Sequence, residues 1–162
     1  GSGMKEYPLL FKGTQWEGEA HAFSRRVQDV SEFLDGLGLV EPPPLSAPMR
    51  LAYLDACHLA HAQKVTYAPR KLLAQVPGLK MVPLPDSDMC CGAAGTYNLT
   101  QPEMARELAE RKIRHIVATG ARVCVTGNVG CAMQIQSEAD RLGVEMHVTH
   151  PVTLLHEAYF GK

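Results

Sequence analysis

The fold class can be inferred from ten consecutive residues, Arg122-Val123-Cys124-Val125-Thr126-Gly127-Asn128-Val129-Gly130-Cys131. Residues 123–126 predict a short strand, and a glycine-containing turn follows them. The pattern from Cys131 to Leu142 then predicts a helix that Gly143 ends. The same order of strand, loop and helix recurs on both sides of these ten residues. It predicts a parallel sheet with right-handed crossovers.

The chain from residue 49 onward alternates strands and helices. Strands are predicted over 50–55, 79–84, 123–126 and 144–148, and helices over 69–76, 100–118, 131–142 and 151–160. We therefore predict an α/β fold, a Rossmann-like parallel sheet of about four strands flanked by helices on both faces. The charged residues of the 100–118 helix predict a solvated face that contains i,i+4 pairs. That face comprises Arg106, Glu107, Glu110, Arg111, Lys112 and Arg114.

The domain organisation follows from segments that differ in composition. Residues 1–3, Gly-Ser-Gly, are interpreted as a cloning scar and left out of the fold prediction. Residues 4–41 are predicted to be an N-terminal helical arm, because apolar side chains recur at helical steps over 17–37. Residues 42–48 are rich in proline, which predicts a stiff linker. Residues 49–162 form the cysteine-rich α/β domain.

Composition excludes several classes of protein. The chain has 162 residues, of which 46% are hydrophobic, and a net charge of −1, which argues against disorder and against a nucleic-acid partner. No apolar run approaches the roughly 20 residues that span a bilayer. Five cysteines are an odd number, which favours free thiols in a reducing compartment, so a cytoplasmic location is expected. No Gly-x-Gly-x-x-Gly run follows the first strand, so a dinucleotide site is not supported.

Four cysteines follow three different predicted strands. Cys57 follows the first strand, the adjacent pair Cys90 and Cys91 follows the second, and Cys131 follows the third. Because the carboxyl ends of parallel strands meet at one edge of a sheet, we expect these thiols to share one site. Four thiolates can hold an iron–sulfur cluster or a zinc ion. Cys124 lies within a strand instead, where a free cysteine is typical of the hydrophobic core.

Several neighbours are candidates for hydrogen bonds to this site or for shaping its loops. Gly92 allows the backbone to approach a ligand closely. Asn128 has two open interpretations, since its amide can bond a sulfur or can satisfy the turn that contains it. The remaining candidates lie beside a cysteine or at the same edge of the sheet. They are His58, Tyr97 and His150.

These motifs resemble a known family. The arrangement of Cys57, then Cys90-Cys91-Gly92, then Asn128-x-x-Cys131 is similar to the cysteine-rich CCG domain of heterodisulfide reductase and related oxidoreductases. Four runs resemble more closely the C-terminal part of the glycolate oxidase iron–sulfur subunit. They are Asp55-Ala56-Cys57-His58-Leu59-Ala60-His61, Cys91-Gly92-Ala93-Ala94-Gly95-Thr96-Tyr97-Asn98, Thr126-Gly127-Asn128-Val129-Gly130-Cys131 and His150-Pro151-Val152-Thr153-Leu154-Leu155. Asn128 stands where the broader family has the first cysteine of Cys-x-x-Cys, and Val129 where proline is usual.

The resemblance implies a function in electron transfer. It implies an iron–sulfur cluster, of the 4Fe–4S kind, on Cys57, Cys90, Cys91 and Cys131 within a flavin-dependent glycolate (2-hydroxy-acid) oxidase or dehydrogenase complex. The flavin is expected on a partner subunit, and a ferredoxin-like part is expected to precede this domain. The resemblance also implies peripheral association of the complex with the inner face of the membrane. The fragment alone is not expected to be catalytic, and the substrate is left open between glycolate, lactate and another 2-hydroxy acid.

Two alternatives use the same thiols without electron transfer. Four thiolates can hold zinc, which would make this a zinc-binding or metal-free structural and assembly domain of the same complex. A weaker alternative is a dithiol switch, in which Cys90 or Cys91 pairs with another thiol. Iron and sulfide content distinguishes the iron–sulfur interpretation from these two alternatives.

Overall fold

A parallel four-stranded sheet forms the centre of the protein, in a computed structural model that describes residues 1–161. The strands are β1 (Met49–Leu54), β2 (Leu79–Val82), β3 (Val123–Thr126) and β4 (His147–Thr149), in the order β2-β1-β3-β4. All three strand pairs are parallel, and Leu51 of β1 lies between Met81 of β2 and Val123 of β3. The predicted α/β fold with about four parallel strands is confirmed.

Helices precede the sheet and cover both of its faces. Those before the sheet are α1 (Ser2–Lys5), α2 (Tyr7–Leu10), α3 (Glu17–Ser24) and α4 (Val30–Leu37). Those that follow strands are α5 (Tyr67–Ala74), α6 (Tyr97–Thr100), α7 (Pro102–Ala118), α8 (Val129–Arg141) and α9 (Pro151–Phe160). A short π-helical turn, His58–Ala62, follows β1.

Two separate hydrophobic clusters hold these layers together. On one face, α7 and α8 pack on β1 and β3 through Ile113, Ile116 and Ile135, all of which are buried. On the other face, α5 and α9 pack on the same strands through Leu72 and Leu154. Burial of each such side chain stabilises the fold by about 1.5–3 kcal/mol. Helices therefore pack on both faces of the sheet. The loops at its carboxyl edge start and end in these packed elements.

The N-terminal arm differs from the single helix predicted over 17–37. The chain breaks between α3 and α4 because Asp29 has an extended backbone and begins α4 as its N-cap. The Asp29 carboxylate accepts a hydrogen bond from the Ser31 amide at 2.8 Å, and the Glu32 carboxylate accepts one from the Asp29 amide at 3.1 Å. This capping box is a helix start signal inside an apolar pattern that continues on both sides of it. The arm then packs on the sheet domain, where Lys71 of α5 pairs with Asp35 of α4 at 2.7 Å.

Most other helix and strand boundaries differ from prediction by one to three residues, and in two places the cause is clear. The helix predicted over 100–118 begins at Pro102, because Gln101 departs from helical geometry between α6 and α7. The strand predicted over 144–148 begins only at His147, since the Val144 amide still donates to Ala139 of α8. Residues 42–48 form neither helix nor strand, as predicted for a linker. Within residues 1–161, no helix is both long enough and apolar enough to cross a bilayer.

Candidate functional site

The candidate site lies at the carboxyl edge of the sheet, beside the point where the strand order reverses. The connection that leaves β1 runs to β2 on one side, and the connection that leaves β3 runs to β4 on the other. Ligands of open parallel sheets bind in the crevice that such a reversal opens. A cavity of about 260 Å³ occupies this position. Its lining comprises Cys57, His58, Cys90, Cys91, Ala93, Ala94, Gly95, Asn128, Gly130 and Cys131.

Each cysteine of the cavity comes from a loop or a helix start that the topology brings to this edge. Cys57 immediately precedes the π-helical turn after β1, and Cys131 lies in the first turn of α8 after β3. Cys90 and Cys91 lie in the long connection between β2 and α6. Cys91 and Cys131 are buried, while Cys57 and Cys90 are partly exposed. Cys124 lies fully buried inside β3 and does not line the cavity, which agrees with a place in the core.

The loop that carries the adjacent cysteines lies directly on helix α7. Gly92 has a φ of +90°, and a Cβ atom added to it would lie 2.4 Å from the carbonyl oxygen of Ala105. Only glycine combines that backbone conformation with such a close approach. The Gly92 amide also donates to the Cys90 sulfur at 3.3 Å. The glycine after the two cysteines therefore seats them against α7.

The two buried thiols interact with each other. A hydrogen bond from the Cys131 thiol lowers the pKa of Cys91, and burial opposes that effect less strongly. The same hydrogen bond, together with burial and the negative charge of Cys91, raises the pKa of Cys131. The hydrogen bond thus favours the anionic form of Cys91 and the neutral form of Cys131. By contrast, burial raises the pKa of Cys124 to about 12, so that thiol stays neutral.

Thiols are the most numerous metal-binding side chains that line the cavity. Four sulfur atoms and no carboxylate face the cavity, which is the chemistry that soft metals and iron–sulfur clusters require. Within residues 1–161, no three His, Cys, Asp or Glu side chains already surround a single point where one metal ion would sit. The four sulfurs line one cavity. The donor set therefore fits a soft metal ion or an iron–sulfur group held by thiolates.

Asn128 acts on the turn and on a cysteine at the same time. It is the N-cap of α8, and its side-chain oxygen accepts a hydrogen bond from the amide of Cys131 at 3.2 Å. This is the turn interpretation of the sequence, with the consequence that Asn128 fixes the backbone of Cys131. Asn128 also lines the cavity.

The other predicted neighbours divide into two groups. His58 lines the cavity beside Cys57. Tyr97 lies at the start of α6, and His150 is the N-cap of α9, where its Nδ1 accepts a hydrogen bond from the Val152 amide at 3.2 Å. Neither Tyr97 nor His150 is among the residues that line the cavity.

A partly buried ion pair that the sequence did not reveal joins two of the cysteine loops. Arg70 donates to both carboxylate oxygens of Asp55 at 2.6 and 2.7 Å, and the Ser87 hydroxyl donates to the same carboxylate at 2.8 Å. Asp55 precedes Cys57 by two residues, and Ser87 precedes Cys90 by three. Burial raises the pKa of Asp55, but the hydrogen bonds from Arg70 and Ser87 outweigh burial and hold that pKa below its ordinary value. The only available signal was a carboxylate at the end of a strand.

Lys112 corrects the prediction of a uniformly solvated face on the long helix. It is fully buried, and its ammonium group donates a hydrogen bond to the carbonyl oxygen of Asp86. Arg111 pairs with the Asp86 carboxylate at 2.8 Å. Glu110 and Arg114 form an i,i+4 pair of the kind predicted for this face, at 3.7 Å. Lys112 falls on the buried stripe of α7, three residues after Ala109, so helical periodicity could have placed it.

Fold and site together define a cysteine-ligand domain, a parallel α/β sheet whose carboxyl edge presents four thiols to one cavity. The chain belongs to the CCG family, described as the cysteine-rich domain, which matches residues 51–136. That range contains all four cavity cysteines. The resemblance inferred from the sequence is confirmed.

Curated relatives carry two kinds of name. Lactate utilization protein A of Oceanobacillus iheyensis is 35% identical over 157 residues, which cover 94% of this chain and 63% of the relative. Lactate utilization protein A of Lysinibacillus sphaericus is 31% identical, with 68% of the relative covered. The probable glycolate oxidase iron-sulfur subunit of Bacillus subtilis is 32% identical over 162 residues, which cover 98% of this chain and 36% of that protein. The chain thus spans about two thirds of the former relatives and about one third of the latter.

Proposed function

We propose that this chain binds an iron–sulfur cluster through Cys57, Cys90, Cys91 and Cys131 and transfers electrons within a complex that oxidises a 2-hydroxy acid. The observation that carries the proposal is that four thiols from three separate loops line one cavity at the carboxyl edge of the sheet. An iron–sulfur cluster, when bound, supplies a one-electron carrier. The domain needs no substrate pocket of its own for that role.

The residues of this chain prepare the site for such a group. Cys91 and Cys131 are buried, so water has little access to the inner half of the cavity. The glycine contact with α7 and the cap on α8 hold the backbones of these two cysteines. A site whose ligands are fixed in advance loses little energy to reorganisation when an electron enters or leaves.

Zinc is the alternative occupant of the same four thiols. A tetrahedral zinc ion lies about 2.3 Å from each of four sulfurs, which must therefore converge on one point. The name of the Bacillus subtilis relative, an iron-sulfur subunit, favours the cluster.

The substrate and the partners of the complex are inferred from the relatives. The names of those relatives refer to lactate utilization and to glycolate oxidase, and both lactate and glycolate are 2-hydroxy acids. We place the flavin and the substrate on a partner subunit, with a ferredoxin-like part of the iron–sulfur subunit between that flavin and this domain. All five cysteines are free thiols, which fits a reducing compartment, and we place the complex at the cytoplasmic face of the membrane.

The proposal is tested by reconstitution with iron and sulfide in the absence of oxygen. The expected result is stoichiometric iron and sulfide with a visible absorption band in the wild-type chain, lost in Cys91→Ala. Cys124→Ala is the matched control, since it removes a buried thiol that does not line the cavity. That variant should retain its iron and sulfide. Zinc alone in the wild-type chain, or equal loss in both variants, would contradict the proposal.

A further inference from the structure

Lys112 occupies a position in the hydrophobic core where a charged side chain is unexpected. It is fully buried, on the same stripe of α7 as Ala109 and Ile113. An ammonium group removed from water is strongly unfavourable unless an anion or several hydrogen bonds compensate for it. One hydrogen bond is present, to the carbonyl oxygen of Asp86. A neutral side chain such as glutamine could donate the same bond, so the bond alone does not account for the charge.

Burial lowers the pKa of Lys112, and four nearby acidic groups oppose that effect. They are Asp86, Asp88, Cys124 and Cys91. Both aspartates are exposed to water, and the Asp86 carboxylate already pairs with Arg111 at 2.8 Å. Cys124 and Cys91 are the two buried members of the set. Of these two, Cys124 lies inside β3, and Cys91 lines the cavity.

Lys112 contacts the loop that carries two of the cavity cysteines. Gly92 seats the Cys90–Cys91 loop on α7 at Ala105, and Lys112 follows seven residues later, on the same side of the helix. The Asp86 carbonyl that accepts the hydrogen bond from Lys112 lies four residues before Cys90, so the ammonium group is held against this loop. A buried charge in this position is poorly screened, and its effect on the site is correspondingly large.

We propose that Lys112 is a positioning residue whose buried positive charge stabilises the anionic thiolate site and raises the reduction potential of the cluster bound there. The part of this inference that concerns the reduction potential rests on the proposed function. A cluster with four thiolate ligands carries a net negative charge that increases on reduction, so a nearby cation favours the reduced form. The same cation also favours binding of any metal that requires deprotonated thiols.

Two substitutions separate the charge from the hydrogen bond. Lys112→Gln removes the charge and keeps a donor for the Asp86 carbonyl, whereas Lys112→Arg keeps the charge. Circular dichroism confirms that each variant is folded. After reconstitution with iron and sulfide, the midpoint potential is measured by redox titration. Lys112→Gln should lower the midpoint potential by about 59 mV for one electron. This corresponds to a ratio of reduced to oxidised cluster that is about ten times lower at a fixed potential. Lys112→Arg should stay close to the wild-type value, and an unchanged potential in Lys112→Gln would overturn the proposal.

A second probe distinguishes failure of this inference from failure of the proposed function. If the wild-type chain takes up no iron and sulfide, the proposed function fails, and Co²⁺ affinity then decides the question of Lys112. Weaker Co²⁺ binding in Lys112→Gln, with wild-type binding in Lys112→Arg, supports stabilisation of metal-bound thiolates by the ammonium group. Equal binding in all three proteins overturns it. A wild-type chain that binds neither Co²⁺ nor a cluster overturns both proposals.

Discussion

Replacement of Gly92 by alanine should destabilise the chain in two ways, through the close approach to α7 and through the left-handed backbone at this residue. The added Cβ would lie 2.4 Å from the Ala105 carbonyl oxygen, whereas an ordinary contact begins at 3.4 Å. The loop must therefore move by about 1 Å, because the obstacle is helix backbone, and overpacking of this kind costs about 1–3 kcal/mol. A left-handed backbone at a residue with a Cβ costs a further 1–2 kcal/mol, approximately. We expect a total loss of about 2–5 kcal/mol in the free energy of unfolding.

Gly95 provides the matched control within the same loop. It also has a positive φ, +64°, but a Cβ added there would meet nothing within 4 Å. Gly95→Ala should therefore lose only the backbone part, about 1–2 kcal/mol. Urea unfolding of the metal-free chains, followed by circular dichroism, measures both losses. If the two variants differed by less than about 0.5 kcal/mol, the close approach to α7 would not be what holds the cysteine loop.

Three further predictions concern polar groups around the site. Asn128→Ala removes the cap of α8 and should lower the free energy of unfolding by about 1 kcal/mol, while Asn128→Ser should restore most of it. Asp55→Asn should cost about 2 kcal/mol, after allowance for the partly exposed Arg70. Because the pKa of Asp55 in the folded chain is low, its ionised carboxylate stabilises the wild-type chain above about pH 4. That stabilisation is lost as the pH falls through the folded-state pKa. The acid unfolding of Asp55→Asn should therefore depend less on pH in this range. The buried hydroxyl of Tyr53 has no hydrogen-bond partner among residues 1–161, so Tyr53→Phe should unfold no more easily than wild type. Tyr159→Phe, which loses a hydrogen bond to a carbonyl, should lose about 1 kcal/mol in the free energy of unfolding. Denaturant midpoints at neutral and acid pH check all three.

The sequence predicted the sheet well because its strands are short apolar runs separated by clear helix patterns. The third strand, 123–126, and the last helix, 151–160, have the predicted boundaries. Errors occurred where a side chain ends or begins an element against the apolar pattern. Asp29 breaks the arm into two helices in this way, through a local capping box that the longer periodicity concealed. Periodicity gives the face of a helix, whereas caps give its ends.

The cysteine cavity followed from topology alone, but its supporting contacts did not. Strand order brings Cys57, the Cys90–Cys91 pair and Cys131 to one edge of the sheet, so four thiols in one cavity were predictable. The partners of those loops come from residues distant in sequence, such as Arg70, whose guanidinium lies 4.4 Å above the Tyr53 ring as it binds Asp55. A single sequence contains no signal for such pairs. Lys112 was misassigned for a related reason, since its charged neighbours in sequence suggested a solvated face.

Residues 85–92 make several contacts that do not involve a cavity thiol. Lys112 and Arg111 both bind Asp86, and the Asp55 amide donates to the Ser87 carbonyl at 3.0 Å. The glycine that follows the cysteines is then locked against α7. None of these contacts uses a thiol, so they hold the loop whatever the state of the thiols. The charge proposed for Lys112 therefore acts on cysteines whose loop is held by other parts of the fold.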